Sequence, residues 1–154
     1  MGEPRWLDER EARVWHAVIG LQQKLLPELE RQLIRDAGLS GADYALLVPL
    51  SEAPDGLLRA RELGRMVGWE RSRLSHQLAR MEKRGLVARE ECSEDARGLM
   101  VRLTDAGRAA ITSGAPTHVA AVRRHFFDPL TDAELDVLGP ALERVLDRLP
   151  DNDS

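Results

Sequence analysis

Hydrogen-bond donors are concentrated between residues 71 and 81, and no acidic residue lies among them. Leu74, Leu78 and Met81 have the i, i+4, i+7 spacing of a buried helical stripe. The opposite arc of that helix would carry Arg71, Ser72, Arg73, Ser75, His76, Gln77 and Arg80. In the major groove of DNA, arginine pairs with guanine edges, and serine or histidine reaches bases or phosphates. A solvated helix of an ordinary soluble protein can show the same face, so this helix alone does not decide between the two interpretations.

A second, shorter helix is expected immediately before the donor-rich one. It begins near Arg61 and would bury Leu63 together with Met66 or Val67. Gly68 ends this first helix, and Gly85 ends the second one after two cations, as is common at helix C-termini. The stretch therefore predicts a helix-turn-helix. We expect Arg73 and His76 to read bases and Arg80 to hold a phosphate.

Two short strands, at residues 87–92 and 99–103, are expected to follow the second helix. The intervening residues SEDARG are rich in turn formers, which indicates a β-hairpin. Arg97 at its tip is suited to a narrow minor groove, and Asp95 is placed to orient its guanidinium. A helix-turn-helix followed by such a hairpin is a winged helix.

The charge of the chain is divided unevenly along its length. The net charge is −4 overall, but it is −4 for residues 1–56, +4 for residues 57–108 and −4 for residues 109–154. Phosphate binding depends on where charge lies more than on the total. The basic excess coincides with the predicted winged helix.

Three motifs in this central region together resemble the multiple-antibiotic-resistance regulator (MarR) family. They are RGLV at residues 84–87, D-x-R-G at residues 95–98 and L-T-x-x-G at residues 103–107. The resemblance implies homodimeric transcriptional regulators that bind double-stranded DNA and are often relieved by small aromatic or phenolic ligands. A repressor acting on a palindromic site is the expected function. Trp69 and Glu70 depart from the family pattern, which commonly has a small aliphatic residue and then a serine or aspartate cap.

The flanking segments are expected to be helices of a dimer interface, at residues 1–38 and 109–150, around a winged helix-turn-helix at residues 40–108 in one domain. The fold class is therefore mainly α with a small β-hairpin wing. A helix at residues 41–51 would be capped by Ser40, with Asp43 in its first turn. The resemblance also implies a brief strand at residues 57–59 that joins the wing.

Prolines and glycines interrupt the pattern of these flanking helices. We expect a kink or break near Lys24 because of Pro27, a bend or interruption at residues 113–116, and a bend at Pro140. Thr131 and Glu134 form the pattern of a capping box for the last helix. The apolar stripes of the two ends exceed what one small domain can bury, which favours a homodimer.

An effector pocket is expected near the first helix, where Trp15 and His16 are the candidate ligand-binding residues. His118 and His125 are seven residues apart, too far to chelate one ion unaided, so neither a metal nor another cofactor is expected. Cys92 on a wing strand is read as a small structural residue, since neighbouring acids would raise its pKa. A redox- or metal-responsive regulator of the same fold stays an alternative.

Other classes of protein are less consistent with the sequence. It has no nucleophile elbow, phosphate loop, zinc-protease pattern or dinucleotide fingerprint, so an enzyme is not expected. A winged-helix module for protein contacts would favour an apolar or acidic recognition helix. No apolar run reaches the ~20 residues of a membrane span, and a single cysteine fits a reducing cytoplasm.

Overall fold

Six α-helices and three short strands form the fold, in a computed structural model that describes residues 2–91 and 98–151. The helices are α1 (Glu9–Ala37), α2 (Gly41–Glu52), α3 (Ala60–Val67), α4 (Arg71–Lys83), α5 (Asp105–Val122) and α6 (Asp132–Leu146). The strands are β1 (Leu57–Arg59), β2 (Val87–Glu91) and β3 (Leu99–Leu103). A 3-10 turn (Pro54–Gly56) precedes β1, and α5 continues into a π-helical turn (Arg123–Phe127). The predicted class, mainly α with a small β wing, is confirmed.

The three strands form one antiparallel sheet in the order β1-β3-β2. Leu58 in β1 lies opposite Val101 in β3, and Val87 in β2 lies opposite Leu103. The strand predicted at residues 57–59 therefore does join the wing. The inward-facing residues of β3 place the sheet against the helices.

A core of buried aliphatic side chains joins α2, α3 and α4 to this sheet. Its most deeply buried members are Leu39, Leu46, Leu47, Leu50, Leu63, Leu78, Met81, Val87 and Val101. Because Leu63 comes from α3 and both Leu78 and Met81 come from α4, the two helices of the helix-turn-helix share this core. Of the two residues predicted beside Leu63, Val67 packs against the core and Met66 is exposed.

The first helix is continuous through Pro27, so the break predicted near Lys24 is wrong. Asp8 and Glu11 form a capping box at its start, and Gly38 ends it in a left-handed conformation with φ of 65°. Proline removes one N–H donor, and the carbonyl that loses its partner belongs to Gln23. Because Gln23 is exposed, water can hydrogen-bond that carbonyl and the helix can continue.

Thr104 caps α5, and its side chain also joins the helix to the chain that follows α4. Its Oγ1 accepts from the Gly107 N–H at 3.0 Å and donates to the Gly85 carbonyl at 2.5 Å. A Cβ on Gly107 would overlap the Leu86 carbonyl oxygen. The glycine of the L-T-x-x-G motif is thus required for the close approach of α5 to the chain that follows α4.

The interruption predicted at residues 113–116 is also wrong, because α5 is continuous there. A Cβ on Gly114 would lie 3.0 Å from the Ala37 Cβ, so this glycine lets α5 approach the end of α1. The irregular turn comes later, at Arg123–Phe127. Gly114 therefore reflects helix packing and does not mark a helix end.

The last helix begins with the predicted capping box, in which Thr131 accepts from the Glu134 N–H at 3.2 Å. It is continuous through Pro140, so this proline does not interrupt it. The carbonyl that loses its partner belongs to the exposed Asp136, which water can reach. None of its residues is buried within the described part of the chain. Among the described helices, none combines the length and the apolar character needed to cross a bilayer.

Candidate nucleic-acid interface

The turn between α3 and α4 fixes which face of α4 meets solvent. Gly68 ends α3 with φ of 68°, which L side chains rarely adopt. The Trp69 N–H then donates to the Gly64 carbonyl at 3.0 Å. Leu74 and Leu78 of α4 are buried in the core, so the opposite side of the helix faces outward.

That outward side contains six of the seven donor residues that the sequence placed on the exposed arc of α4. Arg71, Ser72, Arg73, Ser75, His76 and Arg80 are all exposed, and we call them the donor arc. No carboxylate in the described residues forms an ion pair with the arginines of this arc. Their guanidinium groups can therefore bind acceptors supplied by a partner molecule.

A shallow depression of about 520 Å³ lies at the start of α4 and is lined by Glu70, Arg71, Ser72, Ser75 and His76. Glu70 occupies the cap position of α4, but its side chain forms no capping hydrogen bond with a described residue. The first N–H groups of a helix favour an anion when they lack an internal acceptor. This end of α4 can thus hold a phosphate, although the Glu70 carboxylate on the same rim opposes it.

Gln77 was predicted on the exposed arc, but the structure turns it inward. It is half-buried, and its Nε2 donates to Asp43 Oδ1 at 2.7 Å. The side chain therefore links α4 to α2. The helical spacing predicts the face of α4 on which Gln77 lies, but it does not reveal the buried acceptor, Asp43, on α2.

Asp43 connects three segments through one buried carboxylate, which is only 1% exposed. Its Oδ2 accepts from the Ser40 N–H at 2.9 Å and from Arg84 Nη1 at 2.5 Å, while Oδ1 accepts from Gln77. Arg84 Nη2 also donates to the Gly38 carbonyl at 2.7 Å. The Asp43 clamp, as we call this network of Asp43, Gln77 and Arg84, ties the middle and the C-terminal end of the recognition helix α4 to the corner between α1 and α2.

Arg73 is the member of the donor arc that stacks on an aromatic ring. Its Cζ lies 4.2 Å from the Trp69 ring centroid, one helical turn before it. Trp69 is half-buried and packs against the core. The geometry is that of a cation–π contact, which favours one orientation of the guanidinium.

Two arginines of the wing strands pair with acids, one on the wing and one on α4. Arg102 Nε donates to Glu90 Oε1 at 2.7 Å across β2 and β3, and this bond lowers the pKa of Glu90 and raises the pKa of Arg102. Arg89 likewise binds Glu82 of α4 at 3.0 Å and lowers the pKa of that carboxyl. These pairs reduce the repulsion that phosphates would meet near the strands. The predicted wing residues Cys92, Asp95 and Arg97 lie outside the described residues.

Comparison with known proteins matches residues 37–98 to the family model described as MarR family. Sco3205, a MarR family transcriptional regulator from Streptomyces coelicolor, was solved in complex with DNA and is 45% identical. The match covers 94% of this chain and 90% of that chain, with a TM-score of 0.89. The chain belongs to the MarR family. It is therefore a DNA-binding transcriptional regulator with a winged-helix fold.

Two further relatives of the MarR-family chain agree with this membership. AbsC, another MarR family transcriptional regulator from Streptomyces coelicolor, is 40% identical, and the match covers 94% of this chain and 97% of AbsC with a TM-score of 0.89. The HTH-type transcriptional repressor YetL from Bacillus subtilis (strain 168) is 28% identical over 111 residues. That alignment covers 70% of this chain and 66% of YetL.

The two candidate ligand-binding residues of this MarR-family protein lie exposed on α1. Trp15 lines an open depression of about 610 Å³ with Leu7 and Val14, while His16 is exposed on the same helix. The aromatic side chains of Tyr44 and Trp69 do not line this depression. Tyr44 packs against His118, and Trp69 packs against Arg73.

His118 occupies a polar position between α1, α2 and α5. Gln32 Nε2 donates to Asp36 Oδ2 at 3.0 Å, so its Oε1 is left to accept from His118 Nδ1 at 2.9 Å. The His118 ring lies 4.4 Å from the Tyr44 ring, and burial lowers the pKa of His118. Within residues 2–91 and 98–151, no group of three or more His, Cys, Asp or Glu side chains is placed to hold a metal ion.

Proposed function

We propose that this MarR-family regulator is a repressor that binds a palindromic DNA site as a homodimer. The observation that carries the proposal is the donor arc of α4, which is exposed, contains three arginines and has no acid between residues 71 and 81. An α-helix with such a face fits the major groove, where a bidentate arginine recognises guanine. The 45% identity to a regulator solved with DNA supports the same use of this surface.

Each contact residue has a proposed role. Arg73 and His76 near the middle of the arc read base edges, and Arg80 near its end holds a phosphate. Arg71, Ser72 and Ser75 bind the backbone beside the start of α4. On the wing, Arg97 enters the minor groove and Asp95 orients its guanidinium.

Unpaired apolar side chains at both ends of the chain support the homodimer. On α6, Val137 and Val145 are 71% and 60% exposed, and on α1 both Trp15 and Ile34 are exposed. A second copy that covers these faces would remove them from water. A two-fold axis there would hold two recognition helices about 34–36 Å apart, one turn of DNA.

A small aromatic ligand that relieves repression is the remaining part of the proposal. Trp15 and His16 are its candidate contacts, because Trp15 offers an aromatic face in an open depression. The protein would act in the cytoplasm, where it meets the genes that it regulates.

The test is selection of DNA from a random pool, followed by fluorescence anisotropy on the selected site and on a scrambled duplex. We expect the selected site to contain two inverted half-sites with centres about 10 base pairs apart. Arg73→Ala should weaken binding to it by about 1–3 kcal/mol and relax the preference at one position per half-site.

Arg13→Ala is the matched control, since it removes the same charge from an exposed position on α1. It should leave both affinities close to those of the wild type. Wild-type protein that binds selected and scrambled DNA equally would contradict the proposal. A reporter behind the selected site should be less active with the regulator than without it, and a reporter that becomes more active would exclude a repressor.

A further inference from the structure

Trp69 is anchored at the turn that leads into α4. Its side chain is half-buried and packs against the hydrophobic core, and its backbone N–H donates to the Gly64 carbonyl. Gly64 is itself buried, and a Cβ there would lie 3.4 Å from the Trp69 carbonyl oxygen. The backbone bond holds the turn, and the packing of the side chain against the core leaves the ring little freedom to move.

Arg73 lies over this ring, with 4.2 Å between its Cζ and the ring centroid. Among the described residues it has no carboxylate partner, so the ring is what orients it. Stacking uses the face of the guanidinium and leaves its N–H groups, which lie in the plane of the fork, available. Arg71 and Arg80 make no such contact with a ring in the described part of the chain.

We propose that Trp69 is a specificity-determining residue that holds Arg73 ready for bidentate recognition of a base edge. The inference rests on the proposed function, because it concerns how the donor arc distinguishes one sequence from another. A bidentate contact requires the guanidinium plane to match two acceptors at once. A phosphate contact tolerates many orientations and carries no direct sequence information. Restricting Arg73 before binding therefore favours the correct base over general attraction to DNA.

The expected size of the effect follows from the contact. Exposed cation–π contacts correspond to a change of about two- to fivefold in an equilibrium constant. Trp69→Leu, which keeps an apolar side chain but removes the ring, should weaken binding to the selected site by that factor. Binding to scrambled DNA and the salt dependence of binding should not change, because no charge is removed. Trp69→Phe keeps a ring and should restore most of the loss.

The experiment measures wild type, Trp69→Leu, Trp69→Phe, Arg73→Ala and the double variant Trp69→Leu/Arg73→Ala on both duplexes. The double variant should bind like Arg73→Ala alone, because the ring acts only through Arg73. In the free protein, the Arg73 Nε–H proton should show a ring-current shift in its NMR resonance. Arg73→Lys assigns that resonance, which should move in Trp69→Leu and keep most of its shift in Trp69→Phe.

Several results would overturn the inference. Trp69→Leu could lose affinity equally on both duplexes, bind more tightly than wild type, or cause a further loss when Arg73 is already alanine. Each of these results would mean that Trp69 acts through the turn and not through Arg73. An unchanged Arg73 resonance in Trp69→Leu would show that the contact does not form in solution. If the wild type fails to distinguish the duplexes, the proposed function fails and the inference falls with it. If the wild type distinguishes them and Trp69→Leu does so equally well, only the inference fails.

Discussion

Replacing Asp43 with alanine should destabilise the fold by about 3–5 kcal/mol, because three donors lose a buried acceptor. Loss of the bond from the Ser40 N–H contributes about 1 kcal/mol, and loss of the Gln77 bond a similar amount. The charged bond to Arg84 contributes about 1.5–3 kcal/mol. The cost stays in this range because 45% of the Arg84 side chain is exposed, so water partly replaces the lost partner.

Urea unfolding followed by circular dichroism, at one fixed protein concentration, measures this loss. Asp43→Asn keeps the shape but faces Arg84 with an uncharged group, so its stability should lie between those of wild type and Asp43→Ala. A double-mutant cycle with Arg84→Ala should show coupling between the two residues.

Glu90→Ala is the control, since it also removes a carboxylate from an arginine pair, but both partners are exposed. We expect only a small change in stability there. A loss for Asp43→Ala below about 1 kcal/mol, the range of a surface ion pair, would refute the reasoning. It would mean that the clamp does not hold α4.

Three further predictions concern other parts of the chain. Val145→Glu should shift the protein toward monomer in light scattering and weaken operator binding with it, and a wild type that is monomeric at micromolar concentration would contradict this. Burial lowers the pKa of His118 below 6.5, so the unfolded chain binds its proton more readily. Stability should then fall as pH drops through about 6.5, and His118→Gln should reduce this dependence in urea unfolding. On the wing, Arg97→Ala should weaken DNA binding and reduce its salt dependence. Asp95→Ala should weaken binding too, and tighter binding in titrations at several salt concentrations would refute its orienting role.

The elements that position the interface could be predicted from the sequence because their signals are local. The spacing of Leu74, Leu78 and Met81 indicated one buried stripe, and all three are buried. Gly68 and Gly85 indicated the helix ends and both have positive φ. Such signals depend on neighbours within a turn or two of helix, which the sequence displays directly.

No helix breaks at Pro27, at residues 113–116 or at Pro140, and a bend at these positions stays a prediction. A local signal for a break can have a tertiary cause. Gly114 lowers helix propensity, but it is needed because α5 approaches Ala37. Pro27 and Pro140 each remove one donor, yet the affected carbonyls belong to exposed residues that water can reach. The cost of such a residue depends on its surroundings in the fold, which the sequence alone does not give.

The contacts that hold the recognition helix α4 have no comparable local signal in the sequence. They also show how the acidic N-terminal region contributes to a basic site. Asp43 lies 34 residues from Gln77 and 41 from Arg84, so only its role beside Ser40 could be read from spacing. Its charge belongs to the net −4 of residues 1–56, but it is buried against Arg84 and is not presented to DNA. Arg84 in turn binds the Gly38 carbonyl at the end of α1. Because Arg84 bonds both the Asp43 carboxylate and the Gly38 carbonyl, the end of α1 cannot shift against α4 without breaking a hydrogen bond. The donor arc is thus connected through Arg84 to α1, the helix that carries part of the apolar face proposed for the dimer.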